Sequence, residues 1–110
     1  MKTIARNLCV GASFFAITAV SGLAADATAG KAVYDAKCKT CHAPDGTGNQ
    51  GLAKALKATI KPMSDPSIQS KSDADLKMVV TAGLGKMKPV SGVAGADLDN
   101  VIAFVRTFKK

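Results

Sequence analysis

Cys38-Lys39-Thr40-Cys41-His42 constrains this chain more than any other stretch of it. Two thiols three residues apart, with an imidazole directly after the second, form the attachment site of a c-type haem. Each thiol adds across one haem vinyl group and becomes a thioether. Both vinyls lie on one edge of the porphyrin, so both sulfurs must come from one short, partly helical segment. The histidine that follows lies under the ring, where an imidazole nitrogen reaches the iron.

The rest of the sequence shows why such a group is needed. Residues 1–24 read as a cleaved secretory signal peptide: Lys2 and Arg6 supply the positive start, Leu8 to Val20 the apolar run, and Ser21-Gly22-Leu23-Ala24 the small-residue end. Cleavage is expected after Ala24, with Ala25 as the alternative. The rival, an uncleaved anchor, is weakened by an apolar run shorter than the ~20 residues that span a bilayer. Cleavage leaves residues 25–110 as one domain and removes Cys9, so Cys38 and Cys41 are the mature cysteines. A domain this small buries only about 60% of its unfolded surface and usually needs a staple. Aromatic residues make up 5% of the chain and Trp is absent. A covalently bound apolar disc supplies the missing interior, and the chain without it is expected to be largely unfolded.

The pattern is all-α. Gly30, Val33, Tyr34 and Lys37-Cys38 share one face of a helix expected over 28–39. Turn residues fill Pro44 to Asn49. Leu52, Leu56 and Ile60 suggest a short helix over 51–60, and Ser67 to Ser70 a single turn. Ser72-Asp73-Ala74-Asp75 is a helix start, with a capping serine and acids at the positive end of the dipole. That helix runs to about Ala82, with Leu76, Val79 and Val80 inward. Ala96 to Phe108 is the last helix, with Leu98, Val101, Ile102 and Val105 on its apolar face. No segment reads as a strand.

His42 is the only histidine, so two imidazoles from one chain cannot ligate the iron. A methionine thioether is the expected second axial ligand. Met78 lies among apolar neighbours in a helix and is expected to pack in the core. Met63 lies in the irregular stretch after Pro62. Met87 lies in a loop bounded by Gly85 and Pro89, where the backbone can adapt to the iron, and it is the favoured candidate. Met63, a lysine ligand and an open sixth site are the alternatives.

Taken together, these residues resemble the small, single-haem class I cytochromes c across nearly all of 28–110. Cys38 to His42 carries the resemblance most specifically. Gly85-Lys86-Met87-Lys88-Pro89 looks like the Met-ligand loop of that family. Gly30 and Tyr34, eight and four residues before Cys38, match its N-terminal glycine and aromatic, and Val101 to Val105 resembles the C-terminal helix that crosses there. The resemblance implies three to five short helices wrapped around one covalent haem c, close approach at Gly30, and packing of Tyr34 and Phe104 beside the crossing. Two departures stand out. Lys88-Pro89-Val90 follows Met87, where the family's loop often reads Met-Pro-Pro or Met-Pro-aromatic. Asn49-Gln50-Gly51 offers no proline whose carbonyl would accept the N–H of the proximal histidine.

A haem with both axial positions filled has no vacant site for substrate, so this reading implies a soluble carrier of single electrons and not an enzyme. The alternative is a dedicated haem subunit of a larger dehydrogenase or oxidoreductase complex. A gas-binding or catalytic haem protein requires an open sixth site. A zinc or thiol-redox role for Cys38 and Cys41 lacks further ligands and a thioredoxin-like strand context. Loss of Lys2 and Arg6 takes the formal charge from +7 to +5. The expected partners are redox proteins with acidic docking surfaces, met through lysines such as Lys37, Lys39, Lys86 and Lys88. Export implies the bacterial periplasm and argues against nucleic acid as a partner. The mature chain is expected to lack an integral membrane segment and to be a monomer.

Overall fold

The structure, a computed structural model, describes residues 24–110. The expected signal peptide lies outside the described residues except for Ala24, and Cys9 lies outside them too. The described residues form six helical segments and no strand. A single isolated bridge joins Leu84 to Met87.

Asp26 caps α1 (Ala27–Lys37), its carboxylate accepting from the amides of Thr28 and Ala29. The chain then bends at Cys38 (φ −116°, ψ −35°) and resumes as α2 (Lys39–His42). The expected single helix over 28–39 is therefore two segments, with the first thiol at the joint. Two of the six segments are four-residue turns, which takes the count past the expected three to five.

α3 (Gln50–Leu56) stops four residues short of the expected Ile60. Lys57 takes left-handed angles (φ 51°, ψ 44°), and the Ala58 amide reaches back to the Ala53 carbonyl, a Schellman-type ending. α4 (Pro66–Gln69) is the expected single turn, capped by Asp65. α5 (Asp73–Ala82) begins as the sequence indicates, with Ser72 Oγ accepting from the Asp75 amide. α6 (Ala96–Arg106) ends two residues before the expected Phe108.

α1 and α6 form the main helix–helix contact. Gly30 makes it possible. A Cβ there would overlap the Asn100 carbonyl and lie 3.0 Å from Phe104 Cβ. Around this crossing lie the buried Tyr34, Met63, Leu76, Val93, Val101, Ile102 and Val105, with Cys38, Phe104 and Phe108 packed against them. Tyr34, Phe104 and Phe108 make one aromatic cluster, with ring centroids 5.1–5.6 Å apart.

Met78 corrects an expectation. It does not pack in the core but is 65% exposed. Leu76 is the buried residue of α5. Met78 lies two residues on, about 200° around the helix, and so points the other way.

Candidate functional site

The site is built at the end of α1. α1 delivers Cys38 to the joint, and α2 carries Cys41 and His42. Both thiols are free and half-buried. Burial, and then the neighbouring Cys41, push the Cys38 thiol above its ordinary value, so it rests protonated.

His42 is also partly buried. Desolvation pulls its pKa below the ordinary imidazole value, which keeps the ring neutral. Neutral imidazole is the form that ligates a metal. Its Nδ1 is buried and has no hydrogen-bond partner. The missing proline has no substitute here: residues 48 and 49 donate to the motif instead of accepting from His42. Gly48 N–H donates to the His42 carbonyl at 2.9 Å and Asn49 N–H to the Cys41 carbonyl at 2.9 Å. Asn49 Nδ2 donates to the Thr40 carbonyl at 3.1 Å. The returning loop thus satisfies the last carbonyls of α2, which a helix of four residues cannot pair by itself.

Ala43 follows His42 with φ 65° and ψ 155°. That region is almost reserved for glycine and costs an alanine on the order of 1–3 kcal/mol. Two donors hold its carbonyl: Tyr34 hydroxyl at 2.6 Å and Gly46 N–H at 3.1 Å. Tyr34 itself has no exposed surface. Its phenol is pushed up to about 12, first by burial and then by Cys38, Asp45 and Asp35. Neither Ala43 nor this bond is visible in the sequence. The tyrosine is, but its partner lies beyond the helix, where helical periodicity has no reach.

Met87 is partly buried in a turn tied at both ends. Its N–H donates to the Leu84 carbonyl and its carbonyl accepts from Leu84 N–H, both at 2.9 Å. Gly83 (φ +80°) lets the strand of chain pass close, since a Cβ there would lie 2.6 Å from the Met87 carbonyl oxygen. Val90 N–H donates to the Val80 carbonyl at 2.8 Å, which pins the far side of the loop to α5. Met63 is placed differently. It is 8% exposed, part of the buried cluster with Tyr34, and its carbonyl accepts from Gln69 Nε2 at 2.7 Å.

These residues suit a haem. Two free thiols and a neutral imidazole stand on one short segment. Leu56, Met78 and Leu84 present large apolar side chains outward, 44%, 65% and 60% exposed. They do not suit a chelated metal such as zinc: among the described residues no three His, Cys, Asp or Glu side chains converge.

Comparison with known proteins agrees with this chemistry. Residues 25–105 match the family described as "Cytochrome C oxidase, cbb3-type, subunit III". The chain is 32% identical over 92 residues to "Cytochrome c-554(547)" of Halothiobacillus neapolitanus, a match that covers 78% of this chain and 100% of that relative. Among solved structures, the "KustC0563 c-type cytochrome" superposes with a TM-score of 0.60 at 28% identity, covering 74% of this chain and 98% of the other.

Proposed function

This chain belongs to the cytochrome c family, and from that premise we propose that it is a soluble, periplasmic carrier of single electrons with one covalent haem held between His42 and Met87. The family makes it an electron-transfer protein built on haem c. In the proposed arrangement Cys38 and Cys41 supply the two thioethers, His42 one axial ligand and Met87 the other. Bound in this way, the haem supplies an iron that alternates between ferrous and ferric states, with the thioether favouring the ferrous form.

The chain's own part is to hold the ligands still. The α1–α6 crossing fixes Cys38. The loop from Ala43 to Asn49 fixes His42 by closing on the carbonyls of α2. The observation that carries the proposed pairing is the Leu84–Met87 turn, which anchors the Met87 backbone and leaves its side chain outside the buried cluster that already claims Met63. With His42 and Met87 both held to the iron, no place would remain for substrate, which supports the reading of a carrier over an enzyme.

Lys37, Lys39, Lys86 and Lys88 are exposed, and none is paired with an acid among the described residues. Their charge suits acidic docking surfaces on redox partners through small, brief interfaces. No helix among the described residues is long and apolar enough to cross a membrane.

The Met87→Ala variant tests this. It is expected to lose the weak long-wavelength ferric charge-transfer band of thioether–iron ligation and to bind carbon monoxide rapidly when reduced, while the parent protein does neither. Retention of the band by Met87→Ala removes Met87. Rapid carbon monoxide binding by the parent at neutral pH overturns the carrier reading in favour of an open-site haem protein.

The matched family is described as an oxidase subunit, which favours a second reading: a dedicated haem subunit of a larger complex. Against it, the match to Cytochrome c-554(547) spans the whole of that relative, so one domain of this size makes up that cytochrome. Purification from the native source separates the two. A lone monomer on gel filtration supports the carrier, and stable co-purification with a partner supports the subunit.

A further inference from the structure

We propose that Tyr34 is a positioning residue for His42, its hydroxyl latching the carbonyl of the strained Ala43 that directly follows the imidazole at the end of α2. The inference rests on the axial role proposed above for His42. Tyr34 lies on α1, nine residues before Ala43, and no part of it reaches solvent. Its ring is wedged between Phe104 and Phe108, with centroids 5.1 and 5.6 Å away, so the hydroxyl has one aim. That aim is the Ala43 carbonyl, at 2.6 Å.

The peptide it grips is the one under strain. Ala43 holds φ 65° and ψ 155°, angles that an alanine leaves unless its surroundings over-determine them. Gly46 N–H, the other donor to the same carbonyl, closes a turn three residues on, and its own carbonyl accepts from Met63 N–H at 2.7 Å. Tyr34 is the donor anchored in the helix crossing. Release of the hydroxyl lets Ala43 relax toward ordinary angles, and rotation there turns the adjoining His42. The Nδ1 of His42 has no hydrogen bond of its own to fix the orientation of the ring. The α1–α6 crossing thereby acts on the axial ligand through one hydroxyl, while the ring of the same residue does the packing.

The test uses the haem-loaded protein with isotope-labelled histidine. His42 is the only histidine, so a single set of ring signals reports it. Nuclear magnetic resonance of the ferric form records the hyperfine-shifted His42 ring and the haem methyl pattern, both sensitive to the imidazole plane. Three variants are compared: Tyr34→Phe, Ala43→Gly, and the two together. Tyr34→Phe keeps the ring and its packing. It is expected to shift both sets of signals. Glycine holds the Ala43 angles without strain, so Ala43→Gly alone leaves the pattern in place and, combined with Tyr34→Phe, returns it toward the parent. A pattern unchanged in Tyr34→Phe overturns the latch, as does a shift that Ala43→Gly fails to reverse, since packing alone predicts no such rescue. A parent protein whose labelled histidine shows no hyperfine shift overturns the axial role of His42, and the latch with it.

Discussion

Gly30 of α1 meets the Asn100 carbonyl of α6 so closely that no Cβ fits between them. Backbone touches backbone at the crossing, so the two helices set their own separation without a side chain as spacer. The consequence reaches the functional site, because Cys38 leaves α1 two turns further on, and its amide still donates to the Tyr34 carbonyl at 2.8 Å.

Gly30→Ala forces the helices apart. The obstacle is carbonyl backbone, which cannot rotate away, so the cost falls at the top of the overpacking range, about 3 kcal/mol. Denaturant unfolding of the haem-loaded protein measures it. A loss under about 1 kcal/mol would show that the crossing tolerates a spacer.

Ala43→Gly acts in the opposite direction. Relief of the strained angles gains about 1–3 kcal/mol, and the freedom of glycine in the unfolded chain takes back about 0.5–1. The expected net is a stabilisation of about 1 kcal/mol in the same unfolding experiment. A destabilised variant would mean that Ala43 is not strained.

Tyr34 gives the fold a dependence on alkaline pH. Its phenol is raised from an ordinary 10.0 to about 12, so folding favours the protonated form. This stabilisation is complete below pH 10 and is lost as pH rises toward 12. Unfolding midpoints measured between pH 8 and 12 should fall in the parent and fall less in Tyr34→Phe. Lysine titration is common to both proteins and cancels in the comparison. Equal slopes would deny the buried phenol any role in the transition.

Arg106 ties α6 to the end of α4 and the start of α5. Its guanidinium donates to the Gln69 carbonyl at 2.9 Å, the Lys71 carbonyl at 2.6 Å and the Asp73 carboxylate at 2.8 and 3.1 Å. Arg106→Ala leaves those carbonyls without a donor and is expected to cost about 2 kcal/mol. Arg106→Lys should recover only part of that, because an ammonium cannot reproduce the planar fork. Full recovery by lysine would reduce the contact to simple charge.

The helix crossing and the haem motif were legible in the sequence because both are local signals. Gly30 and Tyr34 keep helical register with Cys38, and the apolar spacing in α6 marks the face that meets them. Ser72 announced α5 through its own side chain. What the sequence concealed depends on how loops return. Lys57 ends α3 in left-handed angles that no residue type there required, so Leu56 and Ile60 do not share a face. Met78 sits in an apolar run of three, Met78-Val79-Val80, and a helix cannot turn all three inward. Ala43 is an ordinary residue made special by a hydroxyl from a helix nine residues upstream. The empty place at His42 Nδ1 was foreshadowed by the missing proline, but only the geometry of residues 48–49 shows that this loop donates where an acceptor was needed.

In the proposed protein one haem, fixed by Cys38 and Cys41 and ligated by His42 and Met87, carries one electron at a time. A spectroelectrochemical titration of the purified native protein tests it most directly. The expected result is a single one-electron transition at positive potential, with c-type bands, low-spin spectra in both states and the thioether charge-transfer band in the ferric form. A transition at strongly negative potential, more than one wave, or a high-spin ferrous spectrum would contradict it.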